Sequence, residues 1–246
     1  MRTPDDQNYR GAVRVVRRLQ EAGHDAVLAG GCVRDLLCGA TPGDYDVATD
    51  ARPGDVEALF ADTRPVGRRF GVTLVVLDGH TYEVAAFRTE SGYSDGRRPD
   101  AVAFCGIEED ARRRDFTING MFWDPVEGRL LDVVGGRRDL EQGVLRAIGE
   151  PEERFGEDHL RLLRAVRFAA RLGFRVEPVT RAAIRRMAPL LARVSPERIQ
   201  RELRLLLTDR DPAAALRLMD SLGLLDVVFP ELAYPTYEVG AAAVGA

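Results

Sequence analysis

The spacing of apolar residues changes character near Pro151, and this change limits the possible architectures more than any other feature of the chain. Before it, short apolar runs bounded by Gly, Pro and Asp alternate with stretches of helical spacing. After it, nearly every window repeats at three and four residues. In the first half, Val13, Val16 and Leu19 predict a helix over 9–22 that stops at Gly23. AVLAG (26–30) reads as a buried strand that turns through glycine into a short helix, VRDLLCG. A strand over 44–49 follows the Pro42-Gly43 turn, and 53–60 is helical. VTLVVL (72–77) and TYEVAAFR (81–88) are strands joined by Asp78-Gly79, a strong hairpin signal. The polar segment 90–100 is a loop, 107–122 a helix, and 129–134 and 144–149 strands. Beyond Pro151 come helices over 157–172, 178–192, 196–208 and 211–221, with Ser195-Pro196 supplying a cap and a first-turn proline. The expected class is therefore α+β. A head with a small mixed β-sheet flanked by helices (1–149) precedes an all-helical domain (150–232) and a frayed tail (233–246).

Composition removes several chemistries. All 35 Lys+Arg residues are arginine, so a lysine-dependent phosphate loop and Schiff-base catalysis are both excluded. Cys32, Cys38 and Cys105 form no C-x-x-C pair, and His24, His80 and His159 are scattered, which leaves a zinc site unsupported and fits a reducing cytoplasm. No apolar run reaches the roughly 18 residues of a membrane span, and MRTPDDQNYR is not a signal peptide. The net charge of −4 gives no general attraction to nucleic acid. Any such binding must come from local arginine clusters, at 112–114 and 161–175.

The segment GGCVRDLLCGATPGDYDVAT (30–49) holds the densest chemistry. On a strand, Asp44 and Asp46 share a face, and two carboxylates that close repel unless a proton or a cation intervenes. Mg²⁺, which prefers a few carboxylates plus substrate phosphates, suits such a pair, although D-x-D is also a common solvated turn. Gly30 and Gly31 allow backbone N–H groups close to a triphosphate, the following helix start favours anions, and Arg34 adds a forked donor.

G-G-x-V-R-D-x-L-x-G…D-x-D resembles the signature of the class II tRNA nucleotidyltransferase and bacterial poly(A) polymerase family, within the polymerase-beta-like nucleotidyltransferases. RRRDFTING (112–120) is similar to the family's R-R-D-F-T-I-N-A block, with Gly120 in place of alanine. The resemblance implies that Asp115 and Asn119 select ribose, with Arg114 toward the phosphates. On a helix these two share a face, and taken alone Asp115 also reads as a helix N-cap. DVVGGRRDL (132–140) resembles the connection between head and neck, where Asp132 and Asp139 read as structural. EDHLRLLRAVRFAARL (157–172) resembles the block that reads the incoming base, implying that role for Asp158 and Arg161, with Arg164 among the nucleotide-binding residues. A carboxylate accepts from the exocyclic amine of cytosine or adenine, whereas uracil and guanine present a carbonyl there. As a lone pair, Asp158 and Arg161 read equally as a surface ion pair. SPERIQREL (195–203) resembles the last family motif, where Arg198 and Glu202 brace the base-reading helix. Glu83 is either a third metal-side carboxylate or a solvated strand residue, and Arg88 is a weaker phosphate candidate.

The resemblance covers about residues 20–232 and implies a Mg²⁺-dependent enzyme that adds C and A from CTP and ATP to the 3′ end of tRNA. The alternatives are a poly(A) polymerase, an A-adding or CC-adding sibling, or a non-catalytic nucleotide- or RNA-binding fragment. VGRRFG (66–71) is faintly similar to poly(A) polymerases, and the loop at 90–103 counts against the CC-only type. Full-length members continue through further helical domains, so the expectation is a fragment or an RNA held by another subunit. Oligomeric state is not legible.

Overall fold

The computed structural model describes residues 4, 6–67, 70–93 and 101–232. The expected tail 233–246, and parts of the 90–100 loop and of VGRRFG, lie outside the described residues. Helix α1 (Gln7–Glu21) starts where Asp6 accepts from the Tyr9 N–H at 2.6 Å, and buries Ala12, Val15, Val16 and Leu19 along one stripe. Then follow β1 (Ala26–Ala29), α2 (Gly31–Leu37), β2 (Asp46–Thr49), α3 (Pro53–Leu59), β3 (Thr63–Gly67), β4 (Val72–Leu77) and β5 (His80–Ala86). A hairpin of β6 (Arg88–Ser91) and β7 (Ala101–Phe104) leads to α4 (Ile107–Arg112), β8 (Phe122–Asp124), β9 (Arg129–Leu131), α5 (Gly136–Glu141) and β10 (Val144–Leu145). The remainder comprises α6 (Pro151–Glu157), α7 (Arg161–Leu172), β11 (Arg175–Val176), α8 (Pro178–Met187), α9 (Pro196–Leu207), α10 (Pro212–Ser221) and α11 (Leu225–Val228).

The head sheet has seven strands in the order β3-β4-β5-β2-β1-β8-β9, parallel between β2 and β5 and antiparallel at its other pairings. Alternation along the strands feeds two cores. Ala26, Leu28, Val47, Tyr82 and Val84 join the larger one beneath α1, α2 and α3, whereas Val27, Ala29 and Ala48 face Phe87, Ala111 and Phe122. The second face is the one on which the cleft opens. Among the described residues after β10 the chain is helical apart from β11, and the helices pack around Leu162, Leu163, Val166, Ile184 and Leu191.

Several boundaries differ from those the sequence predicts, each for a physical reason. The expected helix 107–122 ends at Arg112, and Thr117–Asn119 forms a single 3₁₀ turn before β8. Phe116 and Ile118 serve the neck core while Met121 serves the head core, and one straight helix cannot reach both. The expected strand 144–149 forms a ladder of two residues only, with β11 of the neck, and Ala147 makes an isolated antiparallel bridge to Phe116. The strand 129–134 stops at Leu131, and Asp132 then accepts from the N–H groups of Val134, Gly136 and Arg137. Pro189 lies in a 3₁₀ segment, Ala188–Arg193, that closes α8 early. Helix 157–172 is broken at 158–160.

Candidate active site

The acidic edge of the cleft is built by the sheet. Asp46 opens β2 and lies on the face of Ala48, and the burial of Tyr82 and Val84 in the opposite core leaves Glu83 on the cleft side of β5. Asp44 precedes the strand, in the turn, instead of lying on the expected strand over 44–49, yet it lines the same cleft. Burial, then the charges of Glu83 and Asp44, push the Asp46 carboxyl up to about 7, against a smaller opposing effect of Arg114. Among the described residues, no three His, Cys, Asp or Glu side chains gather into a ready-made metal cluster. Mg²⁺ does not need one, because it takes one or two carboxylates and completes its shell with water and substrate phosphate. A carboxylate that holds its proton this tightly beside two others is relieved by a divalent cation, so the donor set fits.

Facing this edge, Gly30 precedes α2 with φ 71° and ψ −128°, and a Cβ there would stand 3.0 Å from Arg114 Nη1. Glycine thus admits a guanidinium, and by extension a phosphate, close to the backbone. Gly31 and Arg34 line the cleft beside it. Arg114 and Arg113 are held by one carboxylate. Asp110 Oδ2 accepts from Arg114 Nε and Nη2 at 3.1 and 2.9 Å, and Oδ1 accepts from Arg113 Nε and Nη2 at 2.8 and 2.6 Å. Burial raises the Asp110 pKa, but Arg114 and Arg113 outweigh it and hold the carboxyl below its usual range. The sequence reading missed Asp110, because in IEEDARRR it looks like part of a solvated acidic first turn.

Asp115 and Asn119 meet although no α-helix joins them. Asn119 Nδ2 donates to Asp115 Oδ1 at 3.0 Å, Asn119 Oδ1 accepts from Arg34 Nη1 at 2.7 Å, and Asp115 Oδ2 accepts from Arg164 Nε and Nη2 at 2.9 and 2.6 Å. Asp115 also accepts from the Phe116 N–H at 2.8 Å, so it is no helix N-cap. Burial works against its charge, yet Arg164, Asn119 and Arg161 hold its carboxyl at about 2.

Asp158 and Arg161 do not share one helix. Asp158 follows the last turn of α6 in extended conformation, and Arg161 opens α7. Asp158 Oδ1 accepts from the Leu160 N–H at 3.0 Å and Oδ2 from Arg198 Nη2 at 2.8 Å, while Arg161 pairs with Glu157 and donates to the Arg154 and Arg113 carbonyls. The two side chains are therefore not paired with each other, and both line the cleft. Arg198, expected only to brace, lines the cleft as well; Glu202 accepts from Arg167 Nε at 2.7 Å. Arg167 and Arg171, not singled out in the sequence, complete a basic helix face whose spacing (161, 164, 167, 171) was there to be read. Arg34, Arg164 and Arg167 stack about the Phe168 ring, with guanidinium carbons 5.0, 5.2 and 4.3 Å from its centroid.

Together these residues line a cleft of about 540 Å³ in which, among the described residues, nine arginines outnumber five carboxylates, a balance that suits a polyanion. Among the described residues no helix is long and apolar enough to cross a membrane.

Two family models match the chain: the poly A polymerase head domain over residues 26–146, and a probable RNA- and SrmB-binding site of polymerase A over 173–234. The chain is 49% identical to a CCA-adding enzyme of Bacillus subtilis (strain 168) over 84% of its own length and 52% of that protein's. Among solved structures it resembles the Bacillus stearothermophilus CCA-adding enzyme in complex with CTP, with a TM-score of 0.82 at 43% identity, covering 89% of this chain and 53% of the other. It also resembles the Thermotoga maritima CCA-adding enzyme complexed with tRNA, with a TM-score of 0.78 at 26% identity, covering 95% and 55%. The chain spans about half the length of the curated relatives it matches.

Proposed function

This chain belongs to the class II tRNA nucleotidyltransferase and bacterial poly(A) polymerase family, and from that premise we propose that it adds C and A residues from CTP and ATP to the 3′ end of tRNA, with release of pyrophosphate. One observation carries the reading. The carboxylates of Asp44 and Asp46 from the head and the side chains of Asp158 and Arg161 from the neck open on a single cleft, with arginines between them. Those are the groups a nucleoside triphosphate requires, from reacting phosphate to base. On this reading residues 1–149 are the catalytic head and 150–232 the base-reading neck, and the reaction belongs to the cytoplasm, where these substrates are found.

Asp44 and Asp46, with Glu83 beside them, hold the divalent cation, which we assign as Mg²⁺. Bound there, it supplies charge neutralisation at the α-phosphate and a lowered pKa for the attacking 3′-hydroxyl. The chain's own groups do the rest by positioning. Gly30 and Gly31 let the triphosphate lie against backbone N–H groups, and Arg34 and Arg114 offset its charge. Asp115 and Asn119 offer the ribose hydroxyls acceptors and a donor already fixed by Arg164 and Arg34. Asp158 keeps acceptor capacity beyond the bonds to Leu160 and Arg198, enough for the exocyclic amine of cytosine or adenine. Arg161 donates to the ring acceptor. UTP and GTP lose because they would set a carbonyl against the Asp158 carboxylate.

The test is incubation with Mg²⁺ and tRNA lacking its 3′ CCA, with labelled CTP, ATP or both, beside an Asp46→Asn control. Three residues added in the order C, C, A, and none in the control, is the expected outcome. Long A tracts would move the specificity to a sibling, and absence of both incorporation and CTP binding would overturn the reading.

A further inference from the structure

Three guanidiniums converge on one ring in the cleft wall. Phe168, on α7, is buried and still lines the cleft, and the guanidinium carbons of Arg34, Arg164 and Arg167 all lie within reach of its negative face. Arg34 comes from α2 of the head, the other two from the neck. Phe116 meets the ring edge-on, with centroids 5.8 Å apart and planes at 76°. Arg164 precedes Phe168 by one helical turn and shares its face. Arg167, its immediate neighbour, points elsewhere on an ideal helix, yet its guanidinium folds back to 4.3 Å from the centroid while Nε donates to Glu202.

We propose that Phe168 is a positioning residue for sugar recognition: the negative face of its ring holds Arg34 and Arg164 where they fix Asn119 and Asp115 for the ribose hydroxyls. The inference rests on the nucleotidyl-transfer reading and adds to it a residue with no polar atom in its side chain. Three observations carry it. First, Asn119 Oδ1 and Asp115 Oδ2 accept from Arg34 and Arg164 respectively, and both of those arginines lie on this ring. Second, each guanidinium already donates to an acceptor: Arg34 to Asn119 and Asp35, Arg164 to Asp115, Arg167 to Glu202. An aromatic face attracts a cation without drawing those N–H groups away, as another carboxylate would. Third, Arg164 Nη1 lies 3.8 Å from Glu202, the partner of Arg167, so a guanidinium released from the ring has a competing carboxylate to move to.

A fluorinated series tests this while keeping the shape of the core. Phenylalanine at position 168 is replaced by its mono-, di- and trifluorinated analogues, each of which draws more electron density from the ring face. CTP and dCTP are titrated with Mg²⁺ against each protein. The preference for CTP over dCTP is expected to fall stepwise, by about tenfold at the trifluorinated ring. Phe168→Leu, apolar but without a π face, is expected to match that last member in the same ratio. In an Asp115→Asn background the series is expected to leave the ratio flat, because the charged acceptor that Arg164 positions is gone. A ratio that does not move along the series overturns the proposal. So does an equal fall in affinity for both nucleotides, which would return Phe168 to core packing alone. An unaltered protein that binds CTP and dCTP alike overturns it too and leaves the parent reading standing; one that binds neither strikes the parent reading, and the inference falls with it.

Discussion

Asp46, half-buried on the cleft lining, and Asp110, buried and paired with Arg113 and Arg114, are both raised by burial, but their charged neighbours push them in opposite directions. Asp46 faces other acids and sits at about 7, so the folded state binds its proton more tightly than the unfolded chain does. Its contribution to stability is therefore fully present below the unfolded value of about 4 and is lost as pH rises through the folded one. In chelator, Asp46→Asn should melt several degrees above the parent at pH 8, with a smaller gap at pH 5, while nucleotide addition falls at least about 10²-fold. Thermal melts with and without divalent cation check the first part, and incorporation assays the second. Asp110 is the reverse case, a carboxylate that two guanidiniums keep charged. Asp110→Asn removes that charge, frees Arg114 and leaves Arg113 to Glu90 alone, at a cost of about 3–5 kcal/mol for a broken buried network. The KM for CTP and for ATP should rise about tenfold while discrimination against UTP is unchanged; a proportional loss of kcat with unaltered KM would speak against a positioning role.

At the scale of elements, two glycines of the head differ in what a side chain would meet there. A Cβ at Gly136 would stand 2.1 Å from the Thr117 carbonyl oxygen, which is backbone, whereas at Gly120 it would meet the Val134 and Ile148 side chains at 2.8 and 2.9 Å. Gly136→Ala should therefore cost several kcal/mol, and Gly120→Ala about 1–3 kcal/mol as Val134 and Ile148 shift; denaturant melts of the two variants rank them. The same contrast bears on what the sequence reveals. The Asp78-Gly79 hairpin, α1 and the helical second half are legible because their signals are local. The convergence of Asp46 and Glu83 is not, because alternation fixes a face within one strand but not the pairing of β2 with β5, and the sequence alone leaves Glu83 open between the metal side and solvent. The 107–122 segment is misread because its apolar residues serve two cores, a fact no local period encodes. The break at Asp158 escapes for a related reason, since its partner Arg198 on α9 lies 40 residues away. Asp110 has its guanidinium partners only three and four residues on and is hidden instead by its likeness to a solvated acidic turn. Asp158→Ala is expected to relax the preference for CTP over UTP about tenfold or more, measured as a ratio of kcat/KM.

For the whole molecule, the packing boundary and the functional boundary fall in different places. Phe116, Ile118, Leu145 and Ala147 precede residue 150 and yet lie in the core of the neck, and Arg164 of the neck holds Asp115 of the head at 2.6 Å. Residues 150–232 expressed alone should therefore show helical circular dichroism without a cooperative melt, while residues 1–232 unfold in one transition. The Asp115 carboxyl, held at about 2, contributes about 2 kcal/mol at neutral pH that is lost as pH falls from about 4 through 2. Asp115→Asn should flatten the acid limb of the stability curve over that interval. The shared core also sets a rule for anyone exchanging parts among relatives. A neck moved between two such proteins has to bring with it the stretches 116–118 and 144–147, because those residues are inherited by position in the head but owned by the fold of the neck. A splice made at the apparent joint, Gly149-Glu150, would leave each parent holding the other's keystone.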